Sequence, residues 1–273
     1  MHKILLGITG SANELPAILG IAADVFDRFF EGVAFSSDEE KMLTTAQFRN
    51  DSANGADKTA ELCGYIVTHS TSTAETKAIA SRHHQHDGIG LKALKIMHHH
   101  PLLPVEETSR LSDVCLRDNF YRRVFVIHRW RSMLRQGLTA HSLIDFHARH
   151  KLIIMCHGDY RELGQLLASL SKENLPDIAD RYITQLMSLL LTVPTRANHA
   201  NVLQHIQGYL KKELDRDDKA ELCELIEQYR TFAVPLIAPI TLLKHHFRKL
   251  PDPYIASSYY FTPYPSVLAT VIP

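Results

Sequence analysis

Short apolar runs separated by turn residues occupy the first part of the chain, and a 3.6-residue periodicity replaces them later. Lys3–Ile8 (KILLGI), Gly32–Phe35 (GVAF) and Gly64–Thr68 (GYIVT) have the length and β-branched content of buried strands. Helical patterns lie between and after them at Leu15–Phe30, Asp57–Leu62 and Gly90–His98, the last stopped by Pro101 and Pro104. Alternation of this kind predicts an α/β layer with a mostly parallel sheet. From Leu111 onward strand signals fade, and helices are predicted at about 112–135, 139–157, 159–170, 176–191, 196–213, 217–229 and 239–249. Thr139, Thr195 and the Asp215–Asp218 turn supply N-caps. The tail from Pro251 to Pro273 has no period and reads as an extended strap over the helices. The expected architecture is an α/β domain over residues 1–135 followed by an all-α domain over 136–273, divided at the Gln136-Gly137 turn.

Composition narrows this picture. The chain has 273 residues, 45% of them hydrophobic, so it builds a core without a metal or disulfide staple. Lys plus Arg (30) balances Asp plus Glu (30), which excludes nucleic-acid or membrane-surface binding driven by overall charge. Arg110, Arg117, Arg122, Arg123, Arg129, Arg131 and Arg135 are concentrated locally, but they scatter around a helix instead of lining one stripe. Interdomain ion pairs account for them at least as well as a nucleic-acid contact. Cys63, Cys115, Cys156 and Cys223 are far apart and suit a reduced, cytoplasmic chain. Leu186–Val193 is too short to span a bilayer, and Gly7, Thr9 and Gly10 break the N-terminal apolar run, favouring a first strand over a leader. Histidine stands out at 17 residues, the side chain that titrates near neutrality and commonly binds metals. His83, His84, His86 and the His98–His100 triplet fall in polar or Pro-terminated segments with poor geometry for one tetrahedral ion.

The stretch PLLPVEETSRLSDVCLRDNFYRRVF, residues 101–125, resembles the end of the thiouracil-desulfurase (TudS-like) family. That family is one of small α/β proteins holding an iron–sulfur cluster on three cysteines. Its first strand runs into I-S-A-C where this chain has Ile8-Thr9-Gly10-Ser11, and its second into C-P-E where this chain has Ser36-Ser37-Asp38. Its third runs from D-G-Y-I into S-P-S-C-G, where this chain leads from Cys63-Gly64-Tyr65-Ile66 to Thr71-Ser72-Thr73-Ala74-Glu75. The resemblance therefore puts Ser11, Ser36 and Ala74 at the ligand positions, and these do not replace thiolates. It implies the fold without an iron–sulfur cluster. Two readings stay open: a retained scaffold, or an altered small-molecule pocket of Ser11, Ser36, Asp38, Thr71, Ser72 and Thr73 at the strand C-terminal ends.

Residues 142–265 resemble the helical YbgA-type family of unknown function, often fused behind a desulfurase-like domain. The resemblance rests on Asp145-Phe146-His147-Ala148-Arg149-His150-Lys151 and on Tyr160-Arg161-Glu162-Leu163-Gly164. It continues through Thr195-Arg196-Ala197-Asn198-His199-Ala200-Asn201-Val202-Leu203-Gln204-His205, Gly208-Tyr209-Leu210-Lys211-Lys212, Tyr229-Arg230 and Pro235–His245. The chain departs from the family at Phe232, where glycine is usual, at Ser258, where glutamine is usual, and at Tyr264, where P-H-P is usual.

On the helix over 139–157, His150 and His157 fall within about 20° of each other and His147 about 60° away. Asn201, His205, Tyr209 and Lys212 make a second polar stripe at i, i+4, i+8 and i+11. The expected site is a concavity of the helical domain with His147, His150, His205 and Tyr209 moving protons. Arg149, Lys151, Arg196, His199, Asn201, Lys211, Tyr229 and Arg230 would hold a small anionic, nucleobase- or nucleotide-like ligand there. No resident cofactor and no membrane partner are expected. Two alternatives stand beside this: a zinc-type site on His147, His150, His157, His199 and His205, with Cys156 as a core thiol, and a non-catalytic adaptor that associates with nucleic acid.

Overall fold

A computed structural model describes residues 3–44, 61–68, 89–158 and 161–269. Thr71–Glu75, His83, His84, His86, Tyr160 and most of the Asp57–Leu62 segment lie outside the described residues. The chain divides into two compact units, Met1–Ser132 and Met133–Pro273. The first is α/β and the second is helical.

In the first unit four parallel strands pair in the order β2-β1-β3-β4: β1 (Ile4–Thr9), β2 (Phe30–Phe35), β3 (Leu62–Val67) and β4 (Val105–Glu107). β3 is buried at every position, as an inner parallel strand covered on both faces must be. The helix expected over Leu15–Phe30 is two, α1 (Leu15–Ile18) and α2 (Ala23–Phe29), because Gly20 turns the chain at φ +66° and Phe30 already belongs to β2. α3 (Ser37–Leu43) was not expected; it starts on a capping box in which Ser36 and Glu39 each satisfy the other's amide. α4 (Leu91–His99) follows, and the chain then enters β4 directly after Pro104.

α5 (Val114–Gln136) lays Tyr121 and Phe125 against Phe30, and the Tyr121 hydroxyl donates to the Leu19 carbonyl at 3.0 Å. Three arginines of this concentration form ion pairs inside the unit. Arg122 meets Asp118 at 2.5 Å, while Arg110 and Arg123 meet Glu106 at 2.7 and 3.4 Å. Arg122 and Arg123 are buried, so these pairs remove two guanidiniums from any phosphate-binding face.

The second unit contains α6 (Ala140–Met155), α7 (Arg161–Ala168), α8 (Leu175–Leu189), α9 (Arg196–Gln207), α10 (Arg216–Arg230), α11 (Ile237–Lys249) and the short α12 (Pro253–Ser257). Capping boxes at Thr139 and Thr195 start α6 and α9. α6 packs on α8 and α9, α10 on α9 and α11. The tail is not wholly extended: Asp252 caps α12, with Pro253 in its first turn. Among the described residues no helix is long and apolar enough to cross a membrane.

Candidate functional site

The C-terminal ends of β1 and β2 open into a cleft of about 500 Å³ lined by Thr9, Gly10, Ser11, Glu14, Ala34, Phe35, Ser36, Ser37 and Thr68. Its position follows from parallel-strand topology, in which strand ends splay apart and leave a crevice. The Gly10 amide donates to the Phe35 carbonyl at 3.3 Å and ties two of those ends together. Ser36 enters with its hydroxyl already accepting from the Glu39 amide. Of the expected pocket residues, Ser11 and Ser36 line this cleft. Asp38 does not; it pairs with Lys41 on the surface.

Beneath the cleft runs a chain of polar side chains. Thr9 Oγ1 donates to Glu40 Oε1 and lies 3.0 Å from the Tyr65 hydroxyl. Lys92 Nζ meets Glu40 Oε2 at 2.8 Å. Gly7 pairs with Tyr65 across β1 and β3, and a Cβ there would stand 2.5 Å from the Tyr65 ring. A bare backbone at position 7 thus lets the ring lie across β1 and bring its hydroxyl to Thr9. Burial raises the Tyr65 phenol above its ordinary pKa; the Thr9 hydrogen bond opposes this, and the Glu40 and Glu39 charges add to it. Nothing in the sequence pattern singled out Glu40 or Lys92, since one buried carboxylate on a short polar helix leaves no periodic trace.

The histidines expected at one site each meet separate partners within the second unit. His157 follows the end of α6, so the expected three-imidazole sector does not form, and its Nδ1 lies 2.6 Å from the Thr192 carbonyl. His147 Nδ1 stands 3.0 Å from the Tyr182 hydroxyl. Burial, and then the Lys151 charge, push His147 down to about 4, so it is neutral at physiological pH. His150 is fully buried, bonded to the Phe146 carbonyl at 2.7 Å and packed 4.8 Å from the Tyr259 ring. His199 Nδ1 lies 3.1 Å from the Tyr260 hydroxyl and 3.6 Å from Cys156 Sγ, with the Tyr229 ring at 6.5 Å.

The remaining expected residues separate from this core. Asn201, His205, Tyr209, Lys211 and Lys212 are exposed, because the inward face of α9 carries His199, Val202, Leu203 and Ile206. The second stripe is therefore a solvated face, on which Tyr209 stacks with Tyr254. Arg149 pairs with Asp145 and Arg230 with Glu227 near the surface, and Lys151 is half-buried. Arg196 lies between the Tyr229 and Phe232 rings, 4.6 and 4.3 Å from their centroids, and donates to the Tyr229 and Val234 carbonyls. Three guanidiniums expected to hold an anion are thus engaged by carboxylates, carbonyls and rings of their own unit. Among the described residues, no three His, Cys, Asp or Glu side chains stand together as a metal-binding group, so the five-histidine set is not assembled.

The architecture defines a class: an α/β unit with a strand-end cleft, followed on the same chain by a helical unit with histidines built into its core. A profile of the family described as a protein of unknown function, DUF1722, matches residues 151–265. The uncharacterized protein YbgA of Escherichia coli (strain K12) is 33% identical over 154 residues, covering 55% of this chain and 91% of that protein. The chain belongs to this YbgA-like family. No solved structure matches it. The DUF1722 match contains Cys156, His199, Tyr229 and Tyr260, whereas the cleft residues precede it.

Proposed function

We propose that this chain is a small-ligand protein that takes a polar, nucleobase-sized molecule in the strand-end cleft of its first unit. The observation that carries the reading is the cleft itself. Its volume of about 500 Å³ lies in the range of small-molecule sites, and five of its residues offer hydroxyls. The resemblance of residues 101–125 to desulfurases supports a heterocyclic ligand. That family's iron–sulfur cluster does not suit the residues present, because Ser11 and Ser36 offer hard oxygens. Cys63 does not line the cleft; its sulfur lies 3.9 Å from Arg131 Nη1. The wide separation of the four cysteines supports a cytoplasmic setting.

A second reading places acid–base chemistry on an anionic ligand in the helical unit. It is favoured by one observation, the shared contact of His199 Nδ1 with Tyr260 and Cys156. Engagement of Arg149, Arg196 and Arg230 within their own unit makes it the weaker of the two. A thermal-shift screen of nucleobases, nucleotides and carboxylates separates them, since a ligand of the native state raises the melting temperature. A nucleobase-sized compound is expected to stabilise the natural protein and to lose that effect in Ser11→Trp, where the indole fills the cleft. A shift that persists in Ser11→Trp, or no shift with any nucleobase, rejects the cleft reading. A shift by carboxylates or nucleotides abolished in His199→Ala establishes the second.

A further inference from the structure

The hydroxyls at the floor of the cleft do not turn freely to suit any ligand, because their protons are already placed. Glu40 is 4% exposed and ion-paired to Lys92, which marks it as the ionised, acceptor-only form. Thr9 Oγ1 donates its single proton to this carboxylate. The Tyr65 hydroxyl, 3.0 Å from the same oxygen, must therefore donate to it, and burial keeps that phenol protonated. Thr68 Oγ1 in turn donates to the Thr9 carbonyl at 3.1 Å. Thr9 and Thr68 both line the cleft with their hydroxyl protons committed elsewhere, so toward a ligand each hydroxyl can only accept, Thr9 through the one lone pair that Tyr65 leaves. Glu14 adds a carboxylate to the lining, and among the described residues neither lysine nor arginine lines it. The Gly10 amide is committed to the Phe35 carbonyl and is not available to an anion. Ser11, Ser36 and Ser37 also line the cleft and can serve either role, so selectivity sits at the floor.

We infer that the ligand presents adjacent N–H donors, of the amidine or aminopyrimidine kind, to Thr9 and Thr68. In this arrangement Thr9 determines specificity, and Glu40 and Lys92 are positioning residues that fix its polarity. The inference rests on the cleft reading above and adds the chemical class of the ligand. An anion, or an edge of carbonyl oxygens, would meet lone pairs at the floor and leave polar groups on both sides unpaired. Sites built on fixed hydrogen-bond polarity discriminate strongly for that reason.

Calorimetric titration of the full chain with benzamidine, benzamide and benzoate tests this, since the three share a shape and differ in donor count. Benzamidine is expected to bind at least about tenfold tighter than benzoate, roughly one charge-assisted hydrogen bond. Thr9→Val should weaken benzamidine by about tenfold, and Thr9→Ser, which keeps the hydroxyl, should restore it. Glu40→Gln should narrow the benzamidine-to-benzoate ratio, because its amide can donate to Thr9 and free the threonine proton; a merely structural role would weaken both probes alike. If circular dichroism shows Thr9→Val unfolded, the Glu40→Gln ratio decides. Equal or tighter binding of benzoate overturns the inference, as does benzamidine affinity unchanged in a folded Thr9→Val. A benzoate preference that Ser11→Trp abolishes would overturn the donor rule and leave the cleft reading standing. If none of the three probes binds, the donor rule fails, and the nucleobase screen alone decides the cleft reading.

Discussion

Replacing His147 by asparagine removes an imidazole held down to a pKa of about 4 by burial and then by the Lys151 charge, against an ordinary value of 6.5. Asparagine keeps an acceptor for the Tyr182 hydroxyl, whose own pKa burial raises, so that it stays a donor. The sign follows from which state binds the proton first. Below pH 6.5 the unfolded chain takes it up while the folded one does not, so stability falls as pH drops from 6.5 to 4 and levels off below. The full effect has a ceiling of about 3 kcal/mol, which partial solvent screening of a half-buried ring reduces to about 2. Between pH 7.5 and 5.5 the loss is about 1 kcal/mol. Urea unfolding at those two pH values, followed by far-ultraviolet circular dichroism, should show the natural protein losing about that much more than His147→Asn. Parallel behaviour of the two, or a His147 proton resonance titrating near its ordinary value, would refute the argument.

Phe232 sits at φ +66°, a left-handed position where its ring gains only a stack on Arg196 and stays 77% exposed. Phe232→Gly should therefore be more stable than Phe232→Ala by about 1 kcal/mol, and an alanine variant that equals it would show the backbone there to be unstrained. Glu106→Ala strands the buried Arg123 and should lower stability by about 3–5 kcal/mol in urea titrations. Adding Arg123→Met should recover part of that loss; a double variant worse than the single one would refute the ion-pair account. Gly7→Ala pushes the Tyr65 ring off β1 and should cost about 1–3 kcal/mol, read as a lower melting temperature.

Uninterrupted apolar runs made β1 and β3 legible in the sequence, because inner parallel strands must be apolar on both faces, while the edge strand β2 was legible only from Gly32 to Phe35. β4 was not, since its two glutamates are buried through ionic and hydrogen-bonding partners outside the strand, two of them 17 residues away. Glu106 pairs with Arg110 and Arg123, and Glu107 accepts from the Gly90 amide at 3.0 Å. Periodicity placed His147 and His150 on one sector of α6, yet it carries no information on what each ring meets; one found Tyr182 and the other Tyr259. The Asn201–Lys212 stripe showed the converse fault, a polar repeat taken as inward-facing that is the wet side of an amphipathic helix. Ser11 and Ser36 were legible at the cleft because strand ends in parallel sheets gather their loops.

Two consecutive tyrosines beyond α12 pack on different helices of the second unit. Tyr259 packs on His150 and donates its amide to the Arg149 carbonyl at 2.9 Å, while Tyr260 reaches His199. Chain synthesis runs from the N-terminus, so α6 and α9 leave the ribosome well before the residues that complete their interior. The helical unit therefore cannot finish its core during translation of α6 to α11 and must wait for Tyr259 and Tyr260, whereas the four described strands of the sheet are already made. A stop codon ahead of Tyr259 would release helices with a gap at their centre, a substrate for proteases and chaperones.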